Sequence, residues 1–172
     1  EAGICYGRMG VSTQEFGTLC QWAIQVINVL TGNLDRPGGL LFASPALDQV
    51  TNISPGGFDR FVSRVRGLPE FDYELPAVTM LEEILTPGQG QIRLMFTAAG
   101  NPVLSTPNGS ALDKALETVD FMISLDPALN ETTRHADLIL PPTSPLEHDH
   151  YDLVFHVFAV RNTVRFNRPI FE

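Results

Sequence analysis

Apolar residues along the chain keep two different rhythms. Between residues 13 and 32 they recur at steps of three and four, at Phe16, Leu19, Ala23, Val26, Ile27 and Leu30. That spacing predicts an amphipathic helix with these side chains on its buried face. Ser12 or Thr13 suits its N-cap, and Gly32 with Asn33 suits its C-terminal stop. Ahead of the helix, "AGICYGRMG" reads as a short buried strand ending in a glycine-flanked turn. Behind it, "TGNLDRPGG" reads as a turn-rich loop.

From residue 91 the rhythm changes to short, continuous apolar runs. "IRLMFTAAG", "DFMISLD" and "DLILP" each predict a buried strand. Between the first two lie a loop, "GNPVLSTPNGS", and a helix, "ALDKALETV", with Leu112, Ala115 and Leu116 on one face. "NETTRHA" predicts a short helical turn before the third strand. Apolar strands alternating with helices indicate an α/β fold built of parallel βαβ units, with both sheet faces covered. Residues 43–90 form an irregular excursion within it. Pro45, Pro55, Gly56, Gly57, Pro69 and Pro76 break any long element there, and short helices are expected around "FDRFVSRVRG" and "AVTMLEEIL". A single domain is expected over residues 1–150. Residues 151–172 read as a β-rich exit segment toward a next domain. The chain opens without methionine and closes after a β-like run, so a piece of a longer protein is expected.

Composition narrows the classes of function. At 172 residues, 44% hydrophobic and 18% charged, the chain can bury a core and is far from disordered composition. A net charge of -9 argues against a nucleic-acid binder, which needs clustered Lys and Arg against the phosphates. The apolar runs are too short to span a bilayer. Cys5 and Cys20 alone build neither a disulfide scaffold nor a zinc or iron–sulfur ligand set.

Candidate chemistry gathers at the ends of the predicted strands, because open parallel sheets take ligands beyond their carboxyl edge. The first end is "AAGNP", where small residues admit a ligand to the backbone and Asn101 can hydrogen-bond it. Asn101 is equally a turn residue before proline. The second end is Asp126, which could accept two N–H bonds from a guanine edge or hold a ribose hydroxyl. It could as well cap the turn that follows. No G-x-G-x-x-G follows a strand and no Walker-type lysine motif occurs, so nicotinamide and ATP lack their fingerprints. His148, His150 and His156, with Glu147, Asp149 and Asp152, are dense in metal-ligating types, but a polar surface loop is the favoured reading. Gly-X-Ser-X-Gly is absent, and Cys5 has no histidine near it in sequence, so a covalent hydrolase has no support.

Three stretches, which occur along the chain in the family's order, resemble one family. "ADLILPPTSPLE" with the preceding Thr132-Thr133 resembles the second signature of the prokaryotic molybdopterin oxidoreductases of the dimethyl-sulfoxide-reductase type. Thr132-Thr133, Ala136, Asp137, Leu138-Ile139, Leu140-Pro141, Thr143-Ser144 and Glu147 comply, and Asn130 departs where the pattern expects Ser, Thr or Ala. "GRMGVSTQEFG" followed by "LTGNLDRPGG" is similar to the segment passing near the pterin, and "AAGNP" to the turn at the guanosine pocket. The resemblance implies one Rossmann-like domain of an enzyme that binds molybdopterin guanine dinucleotide with molybdenum or tungsten, akin to formate dehydrogenases and nitrate reductases. It places Ala99, Gly100, Asn101 and Pro102 against the cofactor, Asp126 on the guanine, Asn130 beside its ribose, and Gly10 and Gln14 toward the pterin. The metal ligand and a [4Fe-4S] cluster would lie in missing upstream segments, so no residue here is expected to be catalytic and the isolated piece is expected to be inactive. Partners would be the remaining domains of the same polypeptide and an electron-transfer subunit. The expected location is the cytoplasm, with the periplasm open for the parent. The alternative is a cofactor-free structural relative, as in the large subunit of NADH dehydrogenase, acting as a scaffold.

Overall fold

The computed structural model describes residues 2–48, 56–161 and 164–171. Residues 49–55, inside the expected excursion, and residues 162–163, inside the expected exit segment, lie outside the described residues. The chain forms two compact units, residues 1–49 with 151–166 and residues 50–150 with 167–172.

In the first unit, α1 (Met9–Ser12) turns into α2 (Gly17–Leu30), and α6 (Leu153–His156) joins from the far end of the chain. Among the described residues no strand forms ahead of α1. Instead the extended Cys5 donates its N–H to Asn28 Oδ1 at 2.9 Å and accepts from Asn28 Nδ2 at 2.9 Å. A buried side-chain amide has taken the place of a neighbouring strand, which no local pattern could announce. Helix α2 starts later than predicted: Ser12 and Thr13 close α1, their hydroxyls bonded back to the Arg8 and Met9 carbonyls. Its covered face is also different. Gly17 and Asn28 are buried, whereas Phe16, Leu19, Ile27 and Leu30 are exposed. The C-terminal stop is as expected. Gly32 sits at φ +65°, its N–H bonds Val29 O, and Asn33 N–H reaches back to Asn28 O at 2.8 Å, a Schellman closure. The "LVFH" of the closing stretch is helical rather than β, because Asp152 Oδ1 accepts the Phe155 N–H and caps it.

The second unit carries the sheet. Strands β3 (Leu94–Ala98), β4 (Phe121–Leu125) and β5 (Leu138–Leu140) are parallel in the order β3-β4-β5, with Phe96 level with Ile123 and Ile123 level with Leu138. Between β3 and β4 run α4 (Pro102–Ser105) and α5 (Gly109–Leu116), so the expected loop holds a short helix. A 3-10 turn (Thr133–His135) precedes β5. Ile84 of α3 (Met80–Leu85), Val103, Leu112, Ala115, Leu116 and Met122 form the buried core on one face. The described residues of the second unit leave its other face open: Leu94, Phe96, Phe121, Leu138 and Leu140 are exposed, where two covered faces were expected. Thr97 and Ser124 hydroxyls join at 2.8 Å on the covered side.

The excursion differs from its prediction at one point. "FDRFV" is a strand, β1 (Phe58–Val62), antiparallel to β2 (Pro69–Phe71), and not a helix. The second expected helix is present as a 3-10 turn (Ala77–Thr79) running into α3. Two-residue strands, β6 (His150–Tyr151) and β7 (Phe166–Asn167), stand where the chain passes between units. Among the described residues no helix is long and apolar enough to cross a membrane.

Candidate functional site

At the carboxyl end of β3 the chain leaves the sheet through two consecutive left-handed residues, Ala99 (φ +54°) and Gly100 (φ +75°). Left-handed backbone at a non-glycine residue is uncommon, and the Ala99 N–H holds it by bonding Leu125 O at 3.0 Å. Above Gly100 nothing lies within 4 Å of where a Cβ would stand, so the backbone there is open to approach. Asn101 then caps α4, its carbonyl accepting from the Leu104 and Ser105 amides, and Pro102 takes the first helical position.

The Asn101 side chain reaches across to the loop after β4. Its Oδ1 accepts from the Thr132 hydroxyl at 2.6 Å, and its Nδ2 donates to Glu131 Oε2 at 2.7 Å. That amide holds the Glu131 carboxyl below its usual range. Asp126, at the end of β4, is nine-tenths buried. Its Oδ1 accepts the Ala128 N–H at 2.8 Å, an Asx-type turn, and its Oδ2 faces Asn130 Nδ2 at 3.4 Å. Asn130 Oδ1 accepts the Thr132 and Thr133 amides at 2.9 and 3.0 Å. Asn101, Asp126 and Asn130 therefore stand in one continuous hydrogen-bonded set beyond β3 and β4.

Two side chains in that set, Glu131 and Thr132, were not singled out as site residues from the sequence. Their signal is the polar run "NETT" directly after a strand end, where consecutive short polar residues bond one another's amides. Behind the set, Asp113 of α5 takes Arg134 and His135 Nε2, the latter at 2.6 Å, and these two donors hold its carboxyl below the usual range. Gly10 and Gln14 belong to the first unit. Gly10 lies in α1, exposed, while Gln14 Oε1 accepts the Phe16 N–H at 2.9 Å and its Nε2 faces Cys20 Sγ at 3.2 Å.

The remaining motif positions are local fasteners. Asp137 Oδ2 accepts the Met122 N–H at 2.8 Å and its own N–H bonds Met122 O, clamping the start of β5 to β4. Glu147 Oε2 accepts the Ser144 N–H at 2.7 Å within its own turn. His148 and His150 are exposed on the second unit, and His156 packs edge-on against Tyr151 in the first. Among the described residues no group of three His, Cys, Asp or Glu could hold a metal ion. A hollow lined by Leu85, Gln91, Arg93 and Asp120 sits at the opposite, amino end of the strands and brings together no such set.

The profile of the molybdopterin oxidoreductase family matches residues 2–154. The chain belongs to this family. Among its relatives, the assimilatory nitrate reductase catalytic subunit of Bacillus subtilis is 31% identical over 86 residues, 50% of this chain and 12% of that protein. The menaquinone reductase, molybdopterin-binding-like subunit, of Nitratidesulfovibrio vulgaris is 29% identical over 122 residues, 70% of this chain and 16% of that one. The F420-dependent formate dehydrogenase subunit alpha of Methanocaldococcus jannaschii is 25% identical over 153 residues, 82% of this chain and 23% of that one. The chain thus spans 12 to 23% of the length of these relatives. All three are named as subunits. Membership in a molybdopterin oxidoreductase family implies a molybdopterin cofactor with molybdenum or tungsten.

Proposed function

We propose that this chain is a Rossmann-like portion of a larger molybdenum or tungsten oxidoreductase, holding the guanosine end of molybdopterin guanine dinucleotide. The observation that carries the reading is the continuous set Asn101, Thr132, Asn130 and Asp126 beyond the carboxyl ends of adjacent parallel strands. Open parallel sheets take nucleotides at that edge. The residues present fit the group. The turn of Ala99, Gly100 and Pro102 leaves its backbone open at Gly100, and among the described residues Asp126 Oδ2 has one long partner, Asn130 Nδ2, leaving acceptor capacity for the N–H edge of guanine. Asn130 stands beside it for the ribose, and Gly10 and Gln14 are assigned to the pterin end.

When bound, the cofactor supplies the redox metal, while the chain binds and orients it. Domain 1–150 is the cofactor-binding part in this reading and residues 151–172 lead onward. The metal ligand, a [4Fe-4S] cluster, the remaining domains and an electron-transfer subunit belong to the rest of the enzyme, so the isolated chain has no turnover. The names of the relatives support a formate- or nitrate-type substrate. The cytoplasm is the proposed location of the parent, with the periplasm as the alternative.

Asp126→Asn tests the reading. It keeps an oxygen for the Ala128 N–H and sets an NH2 against the N–H edge of guanine. Affinity of the cofactor-free full-length protein for GDP is expected to fall roughly tenfold to hundredfold, with the far-ultraviolet circular dichroism unchanged. Unchanged affinity removes Asp126 from the site. A second reading, a cofactor-free scaffold, draws on Asp126 already closing an Asx-type turn and on the name "molybdopterin-binding-like" of one relative. Metal analysis and pterin fluorescence of the full-length protein separate the two: absence of molybdenum, tungsten and pterin would favour the scaffold.

A further inference from the structure

Thr132 is fully buried, and its hydroxyl has two partners of opposite kind. It accepts the Val103 N–H at 3.1 Å and donates to Asn101 Oδ1 at 2.6 Å. A backbone amide can only donate and a hydroxyl has one proton, so that proton is directed at Asn101. On the far side of the same amide, the Glu131 carboxylate can only accept. Turning the amide over would set its oxygen against a carboxylate that can only accept, and would give up the 2.7 Å bond to Glu131. The Asn101 side chain therefore has one orientation, with its NH2 toward Glu131. The second N–H of that NH2 has no partner among the described residues.

We propose that Thr132 is a positioning residue for nucleotide binding: through its hydroxyl it fixes Asn101 so that one free donor lies beside the Glu131 acceptor. Such a side-by-side donor and acceptor matches a sugar hydroxyl, which both accepts and donates. The inference rests on the nucleotide reading above. Thr132 touches no ligand itself, and it acts only through Asn101.

GDP binding to the cofactor-free full-length protein, followed by calorimetry, tests it in a double-mutant cycle with Asn101→Ala. Thr132→Val should weaken GDP about tenfold, and Thr132→Ser, which keeps the hydroxyl, should stay within about twofold of the native protein. In the Asn101→Ala background, Thr132→Val should have no further effect, because the partner it positions is gone. If Thr132→Val does not fold, Thr132→Ala replaces it in the cycle. An equal loss in both backgrounds, or a loss that serine does not rescue, would make the hydroxyl a fold fastener alone and overturn the proposal, as would unchanged affinity in Thr132→Val. Failure of the native protein to bind GDP is a different result, which overturns the nucleotide reading and the inference with it.

Discussion

Glu70 is completely buried in the β1–β2 hairpin, and its carboxylate is saturated with donors. Arg60 gives its backbone N–H and its Nε, each at 2.9 Å, and the Tyr73 N–H arrives at 3.0 Å. The Arg60 guanidinium also lies 3.7 Å over the Tyr73 ring, which holds it in place. Hydrogen bonds from Arg60, followed by those of the two backbone amides, outweigh burial and bring the Glu70 pKa from 4.5 down to about 2. A carboxylate whose folded pKa is depressed stabilises the fold above its unfolded pKa and loses that contribution as pH falls through the folded one. The urea midpoint should therefore drop between about pH 4.5 and pH 2, and Glu70→Gln should flatten that drop. Some slope will remain, because Asp113 is depressed as well. An identical acid profile in Glu70→Gln would show that the Arg60 contact contributes nothing on protonation.

The same hairpin shows why elements were legible to different degrees. In "FDRFVSRVRG" the apolar Phe58, Phe61, Val62 and Val65 fall at helical spacing, so the local pattern favours a helix. What selects a strand is the hairpin turn together with a helix further along the chain. Ser63 pairs with Leu68 through its N–H and its Oγ, and Glu83 of α3 takes Arg64 Nε at 3.0 Å and the Val65 N–H at 2.9 Å. Strands β3, β4 and β5 and helix α5 were readable because apolar runs and a three-four stripe carry their own evidence. The candidate site was readable at its strand ends, Asn101 and Asp126. The Thr132 hydroxyl and the Glu131 carboxylate find their side-chain partner, Asn101, about thirty residues away. Since Glu83 ties hairpin to helix, Glu83→Ala leaves Arg64 and the Val65 N–H without that acceptor. A loss of about 2 kcal/mol in chemical denaturation is expected, with faster hydrogen exchange over residues 58–71. Unaltered exchange there would mean the hairpin holds without α3.

At the scale of the whole molecule, the described residues of the second unit finish its parallel sheet on one side only. Residues level with one another in parallel strands share a face, and Leu94 and Phe121, then Phe96 and Leu138, stand on the side away from the core. Their exposure runs from 41% at Phe121 to 63% at Leu94, and Leu140 extends the patch. A contiguous apolar surface of this kind is unusual on a protein that works alone, and parallel sheets are ordinarily covered on both faces. The chain is also a minor fraction of its relatives' length. Produced in isolation, the 172-residue chain should therefore bind 8-anilinonaphthalene-1-sulfonate and elute well above its 18.9 kDa in gel filtration. The full-length protein should bind the dye far more weakly. Phe96→Ser, at the centre of the patch, should reduce both dye binding and self-association while leaving the far-ultraviolet circular dichroism unchanged, because Phe96 packs into no core. A dye-silent monomer at high concentration would show that the isolated chain closes this face by itself, and that its sheet needs nothing further to cover it.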